Sequence, residues 1–204
     1  MGGRLRRTAV MCCFLAATLA GCSSGDEPAA STATLGTAPA TTAAADPYAV
    51  PPVIDEAYVN RVLAGLDAVK GDVTRDVIRT KTITIDAFDR LRAVYDSNEF
   101  LQLTIDGLEA DIREGFSSYR PNPGNVTTRV SRLLTTAPNC IFAQVQRDYS
   151  TVGIKPSPEV GVQWIGLKPL DRSRDPKGLN QTSWALTYDG VPRDRLPPRN
   201  PCAG

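Results

Sequence analysis

Apolar positions recur at helical spacing in the stretch after Pro51-Pro52, where Val59, Val62, Leu63, Leu66 and Val69 fall on one stripe. Asp55 stands where an N-cap belongs, and Gly71 stands where such a helix would stop. The pattern predicts a second helix from about Thr84, with Ile85, Phe88, Leu91 and Tyr95 on its apolar face. Asp96-Ser97-Asn98 breaks it. Leu101, Ile105, Leu108 and Ile112 carry a third helix that ends near Gly115. The segment Arg120-Pro121-Asn122-Pro123-Gly124-Asn125 is dense in turn formers.

Beyond that turn the period changes. Residues 126–136 fit a helix through Val130, Leu133, Leu134 and Ala137, but β-branched Val126, Thr127, Thr128 and Val130 favour a strand. Alternation is clear in Ile141-Phe142-Ala143-Gln144-Val145-Gln146, in Val162-Gln163-Trp164-Ile165 and in Trp184-Ala185-Leu186-Thr187-Tyr188. Asp189-Gly190 reads as a turn, and Asp171-Arg172-Ser173-Arg174-Asp175 as a charged turn between strands. Helices first and strands after argue for an α+β class.

The beginning of the chain follows a different logic. Arg4, Arg6 and Arg7 precede an apolar run from Ala9 to Ala20. As a helix this run spans roughly 18 Å, too short for the ~30 Å hydrocarbon core. It ends in Leu19-Ala20-Gly21-Cys22, the pattern of a lipobox. The expected division is a lipoprotein signal peptide over 1–21, a tether over 22–47 and one α+β domain over 48–204. Cys22 would carry a diacylglyceryl group, and two acyl chains exceed the marginal hold of one. The alternatives are an ordinary signal with a chance cysteine, which would end in an A-x-A-like site, and an uncleaved anchor. After Cys22 the tether is Ser, Thr, Ala, Pro and Gly with the charges Asp26, Glu27 and Asp46 and Leu35 as its single large aliphatic residue, too little apolar surface to fold. Such a length reaches roughly 25–30 Å.

Loss of the three signal arginines takes 23 basic residues to 20 against 22 acidic, a net of −2. That balance gives no electrostatic reason to bind nucleic acid. The chain has no histidine. Ser-His-Asp and Cys-His catalysis and H-E-x-x-H zinc sites are therefore excluded, and no cofactor motif is present. Of five cysteines, Cys12 and Cys13 leave with the signal and Cys22 takes lipid. Cys140 and Cys202 remain, an even pair in an oxidising compartment, and a disulfide is expected. The alternative is two buried thiols.

Two constellations have candidate chemistry. Asp106, Glu109, Asp111 and Glu114 cluster on the third helix, as a carboxylate pair for sugar hydrolysis or as a solvated face relieved by Arg113. Trp164, Trp184 and Tyr188 form a candidate pocket that would stack on a sugar or apolar ligand, with core packing as the alternative.

Three helices followed by a curved antiparallel sheet resemble the cone-shaped roll of nuclear transport factor two. Cys140-Ile141-Phe142, Arg147-Asp148-Tyr149-Ser150 and Asn200-Pro201-Cys202 are similar to a set of exported actinobacterial lipoproteins. The resemblance implies an envelope domain but no activity, because that roll hosts isomerases, dehydratases and binding modules alike. The expected function is a lipid-anchored binding or scaffold domain on the outer face of the cell membrane. Its partner would be an envelope protein or the cell wall. The alternatives are an envelope enzyme with a pocket carboxylate (isomerase, dehydratase or glycan hydrolase) and a carrier of apolar ligands.

Overall fold

The structure, a computed structural model, describes residues 46–154, 163–190 and 199–203. The signal segment, Cys22, nearly all of the tether and Val162 lie outside the described residues. Among the described residues no helix is long and apolar enough to cross a membrane.

Helix α1 runs Glu56–Thr80, and the Asp55 carboxylate caps it by accepting from the Tyr58 N–H at 2.7 Å. It does not stop at Gly71. The helix passes through that residue and continues for nine more. Gly71 has another role, since a Cβ there would overlap the Asn125 amide, which packs directly on the helix backbone. Arg75 bonds Asn125 and the Pro123 carbonyl, tying the turn before the sheet to α1. The buried stripe is Tyr58, Val59, Val62, Leu63, Leu66, Val73 and Val77.

Helix α2 spans Ile85–Val94 with Thr84 as N-cap, and of the four residues expected on its apolar face Leu91 and Tyr95 are buried in the core and Ile85 and Phe88 are not. Ala87, Leu91 and Val94 face the core, while Ile85 is 81% exposed and Phe88 39%. Small residues win this contact. Ala87 and Ala93 are fully buried. Ser97 caps helix α3, Asn98–Arg113, whose Leu101 and Leu108 are buried, with Phe100, Ile105 and Ile112 packed against the core.

The ambiguous stretch after the turn resolves as strand from Thr127 onward. The sheet comprises β1 (Thr127–Ala137), β2 (Cys140–Asp148), β3 (Gln163–Pro169) and β4 (Trp184–Gly190), antiparallel in the order β1-β2-β3-β4 and not closed. Ile141, Ala143 and Val145 of β2, Ile165 and Leu167 of β3, and Trp184 and Leu186 of β4 join the core with α1. Register shifts in β1 and between β3 and β4 add local twist. The link between α2 and α3 pairs with the sheet, where the Asp96 N–H donates to the Leu186 carbonyl at 2.9 Å.

The connection from β3 to β4 contains a short 3₁₀ turn, Arg172–Arg174, where the sequence predicts a charged turn. Fully buried Asn180 holds this connection, donating from Nδ2 to the carbonyls of Ala93 and Trp184, each at 2.8 Å. The Asp175 carboxylate accepts from the N–H groups of Leu179 and Asn180. Asp189-Gly190 is not a turn; both residues belong to β4.

Candidate functional site

A buried charge cluster closes one end of the space between α1 and the sheet. Asp67 and Lys70 come from α1, Arg147 from β2 and Asp189 from β4. Their side chains are 6%, 20%, 9% and 10% exposed. An Arg147 guanidinium nitrogen lies 2.6 Å from Asp189 Oδ1, as an ion contact rather than an aligned hydrogen bond. Lys70 Nζ lies 3.4 Å from Asp189 Oδ2 and 3.8 Å from Asp67 Oδ1. The other Asp67 oxygen accepts from the Thr128 N–H at 2.9 Å, and Arg147 Nε donates to Thr128 Oγ1 at 3.2 Å. Two cations and two anions thus neutralise one another.

The titration of these groups follows from the arrangement. Burial pushes the Asp189 carboxyl up, but Lys70 and then Arg147 outweigh it and hold the group below its ordinary range. Burial pushes Lys70 down, yet charge interactions with Tyr95 and then Asp189 leave it raised overall. Arg147 is likewise raised, because Asp189 outweighs its desolvation. All three stay charged across the physiological range.

Spacing alone does not select this cluster, although two signals are present. Position 70 continues the inward stripe of α1 four residues after Leu66, so a lysine there breaks the apolar pattern. Arg147 breaks the β2 series Ile141, Ala143, Val145 in the same way. Asp189 is hidden by a bulge. Gly166 pairs with Tyr188 but Leu167 pairs with Leu186, so Thr187 is an extra residue. Asp189, not Tyr188, therefore stands in register with inward-facing Ile165.

The three aromatic residues of the candidate pocket lie in three environments. Trp184 is fully buried in the core, and its indole N–H donates to Tyr58 Oη at 2.7 Å. Trp164 stacks on Phe142, with ring centroids 5.5 Å apart at 22°. Neither Phe142 nor Trp164 belongs to the helix-side core. Tyr188 packs edge-on against Phe100 of α3 at 5.4 Å. They do not converge on one ligand.

The acidic residues of α3 lie on its solvated side. Asp106 accepts from Gln102 at 2.7 Å, Asp111 accepts from the Tyr119 hydroxyl at 2.7 Å, and Glu109 and Glu114 are exposed. Burial, then the bond to Asp111, pushes the Tyr119 hydroxyl well up. An open groove of about 430 Å³ runs past Thr127, Arg129, Gln146, Arg147 and Asp148. Its carboxylate, Asp148, accepts from the Ser150 N–H at 2.8 Å, and that bond holds the group below its usual range.

The sulfurs of Cys140 and Cys202 are at bonding distance, with Cα atoms 5.6 Å apart. No family model matches the chain, and no curated protein or solved structure matches it either.

Proposed function

We propose that this chain is an envelope lipoprotein, moored to the outer face of the cell membrane by a diacylglyceryl group on Cys22. On this reading residues 22–47 form the tether and 48–204 a binding or scaffold domain rather than an enzyme. The lipobox behind an arginine-flanked apolar run supports the anchor. The bulged, open sheet beneath α1 supports kinship with the cone-shaped roll.

One observation carries the non-catalytic half. The interior is filled where such a roll would hold a substrate. Trp184 and Tyr58 occupy the core, and Asp189 is held ionised between Lys70 and Arg147. An acid–base catalyst near neutral pH needs a carboxyl raised towards its working pH. Asp189 is displaced the other way.

Fractionation of cells expressing the wild type and Cys22→Ala tests the reading. The wild type is expected in the membrane fraction and open to added protease on spheroplasts. The variant is expected to leave the membrane with its domain folded. Equal membrane association of both proteins would remove the anchor from the account.

A further inference from the structure

The four residues 200–203 do more than carry a cysteine. Asn200 Nδ2 donates to Thr135 Oγ1 on β1 at 3.0 Å, and Asn200 Oδ1 accepts from the Cys202 N–H at 2.9 Å. The Ala203 N–H closes a turn onto the Asn200 carbonyl at 3.1 Å. The Pro201 ring sits over Gly166 of β3, where an added Cβ would lie 2.7 Å from Pro201 Cγ. Cys202 reaches Cys140 of β2. One short turn therefore touches three strands.

The register shows what lies beneath it. Thr135 pairs with Phe142, and Phe142 pairs with Gly166, so the three form one row across β1, β2 and β3. The turn holds the first and third members, which places it across Phe142 between them. Phe142 is 3% exposed and its stacking partner Trp164 is 7% exposed. Sheet positions flanking this pair carry Arg132 and Lys168, alongside Gln144. An aromatic pair edged by cations and an amide is surface suited to stacking and polar contacts.

We propose that Asn200-Pro201-Cys202 is a thiol-controlled clamp over the Phe142–Trp164 pair. A dithiol of the thioredoxin-like class outside the cytosol would open it. One thiolate of that dithiol attacks a sulfur of the Cys140–Cys202 bond, and its second thiolate resolves the mixed disulfide. Cys140 and Cys202 become thiols, taking up two protons and two electrons, and the reductant leaves as its own disulfide. Among the described residues, the remaining hold is one side-chain hydrogen bond to Thr135 and one proline contact, each a modest interaction in water. The lipid anchor is not needed for this inference.

Acrylamide quenching of tryptophan fluorescence in the purified full chain, with and without dithiothreitol, tests it. Trp184 is fully buried, so a change reports Trp164. Reduction is expected to raise the quenching constant severalfold with unchanged far-ultraviolet circular dichroism. Cys202→Ser should reproduce the reduced value without reductant. Trp164→Phe should abolish the rise. Quenching unaffected by reduction would show a turn that stays seated without its covalent bond and would overturn the proposal. Loss of the helical signal on reduction would also overturn it, by making the bond a staple of the whole fold.

Discussion

The Trp184 indole N–H donates to Tyr58 Oη at 2.7 Å, joining two residues 126 positions apart. The same hydroxyl donates to the Tyr48 carbonyl at 3.1 Å, so one buried oxygen links the N-terminal segment, α1 and β4. Tyr58→Phe leaves the indole N–H without an acceptor, which costs about 1–3 kcal/mol. Trp184→Ala empties a large core site and should cost about 3–5 kcal/mol. Urea denaturation followed by circular dichroism measures both.

Two glycines in helices should respond with opposite sign. A methyl group added at Gly107 on α3 would meet nothing within 4 Å, so Gly107→Ala should stabilise by roughly 0.5–1 kcal/mol. Gly71→Ala brings the same propensity gain but drives a methyl into the Asn125 amide, and it should destabilise. Thermal melts of the two variants give the signs directly.

That second glycine shows how far pattern reading reaches in this chain. Glycine normally punctuates a helix, and at Gly71 the rule fails because a loop more than fifty residues away needs the missing side chain. Period and caps correctly indicate three helices, with Asp55, Thr84 and Ser97 at or beside the caps. Periodicity misplaces Ile85 and Phe88 of α2 because it weighs large apolar residues most, whereas the contact selects Ala87 over Phe88. Among the strands, alternation identifies segments but not faces. The extra Thr187 exchanges Tyr188 for Asp189 at the position paired with Ile165, and the local sign of that bulge is Gly166 on the facing strand, which does not say which residue is the extra one. The charge cluster follows the same course. Lys70 and Arg147 each interrupt an apolar pattern, but only tertiary pairing of α1, β2 and β4 makes the four a unit.

Breaking that cluster on one side should be worse than removing a pair. Asp189→Asn leaves Lys70 and Arg147 facing each other and should cost about 3–5 kcal/mol. Asp189→Leu combined with Arg147→Met removes one charge of each sign and should cost less than the sum of the single changes. A double-mutant cycle in urea measures the coupling.

The cluster also sets a pH dependence. The Asp189 carboxyl is depressed in the folded state, so its contribution is present above the unfolded value of ~3.9 and is lost as pH falls through the folded value beneath it. Lys70 is raised, so its contribution is complete below ~10.4 and is lost as pH rises through the higher folded value. Stability should therefore form a plateau between these limits. Denaturation midpoints from pH 2 to 11, about the range of these two groups, should show the acid limb weakened in Asp189→Asn.

A bond between Cys140 and Cys202 closes a loop with a sequence separation of 62, worth on the order of 4 kcal/mol in the chain-entropy picture. Peptide maps of exported protein should contain the linked pair without reductant and separate peptides with it. Cys202→Ser should lower the unfolding free energy measured in urea by up to that amount while the far-ultraviolet spectrum is retained.

The proposed location requires a processed N-terminus, and mass spectrometry of the protein extracted from membranes reads that terminus directly. The account predicts a first residue of Cys22 carrying the mass of a diacylglyceryl group. A mature chain that still begins at Met1, or one that begins beyond Cys22 with no lipid, would contradict it.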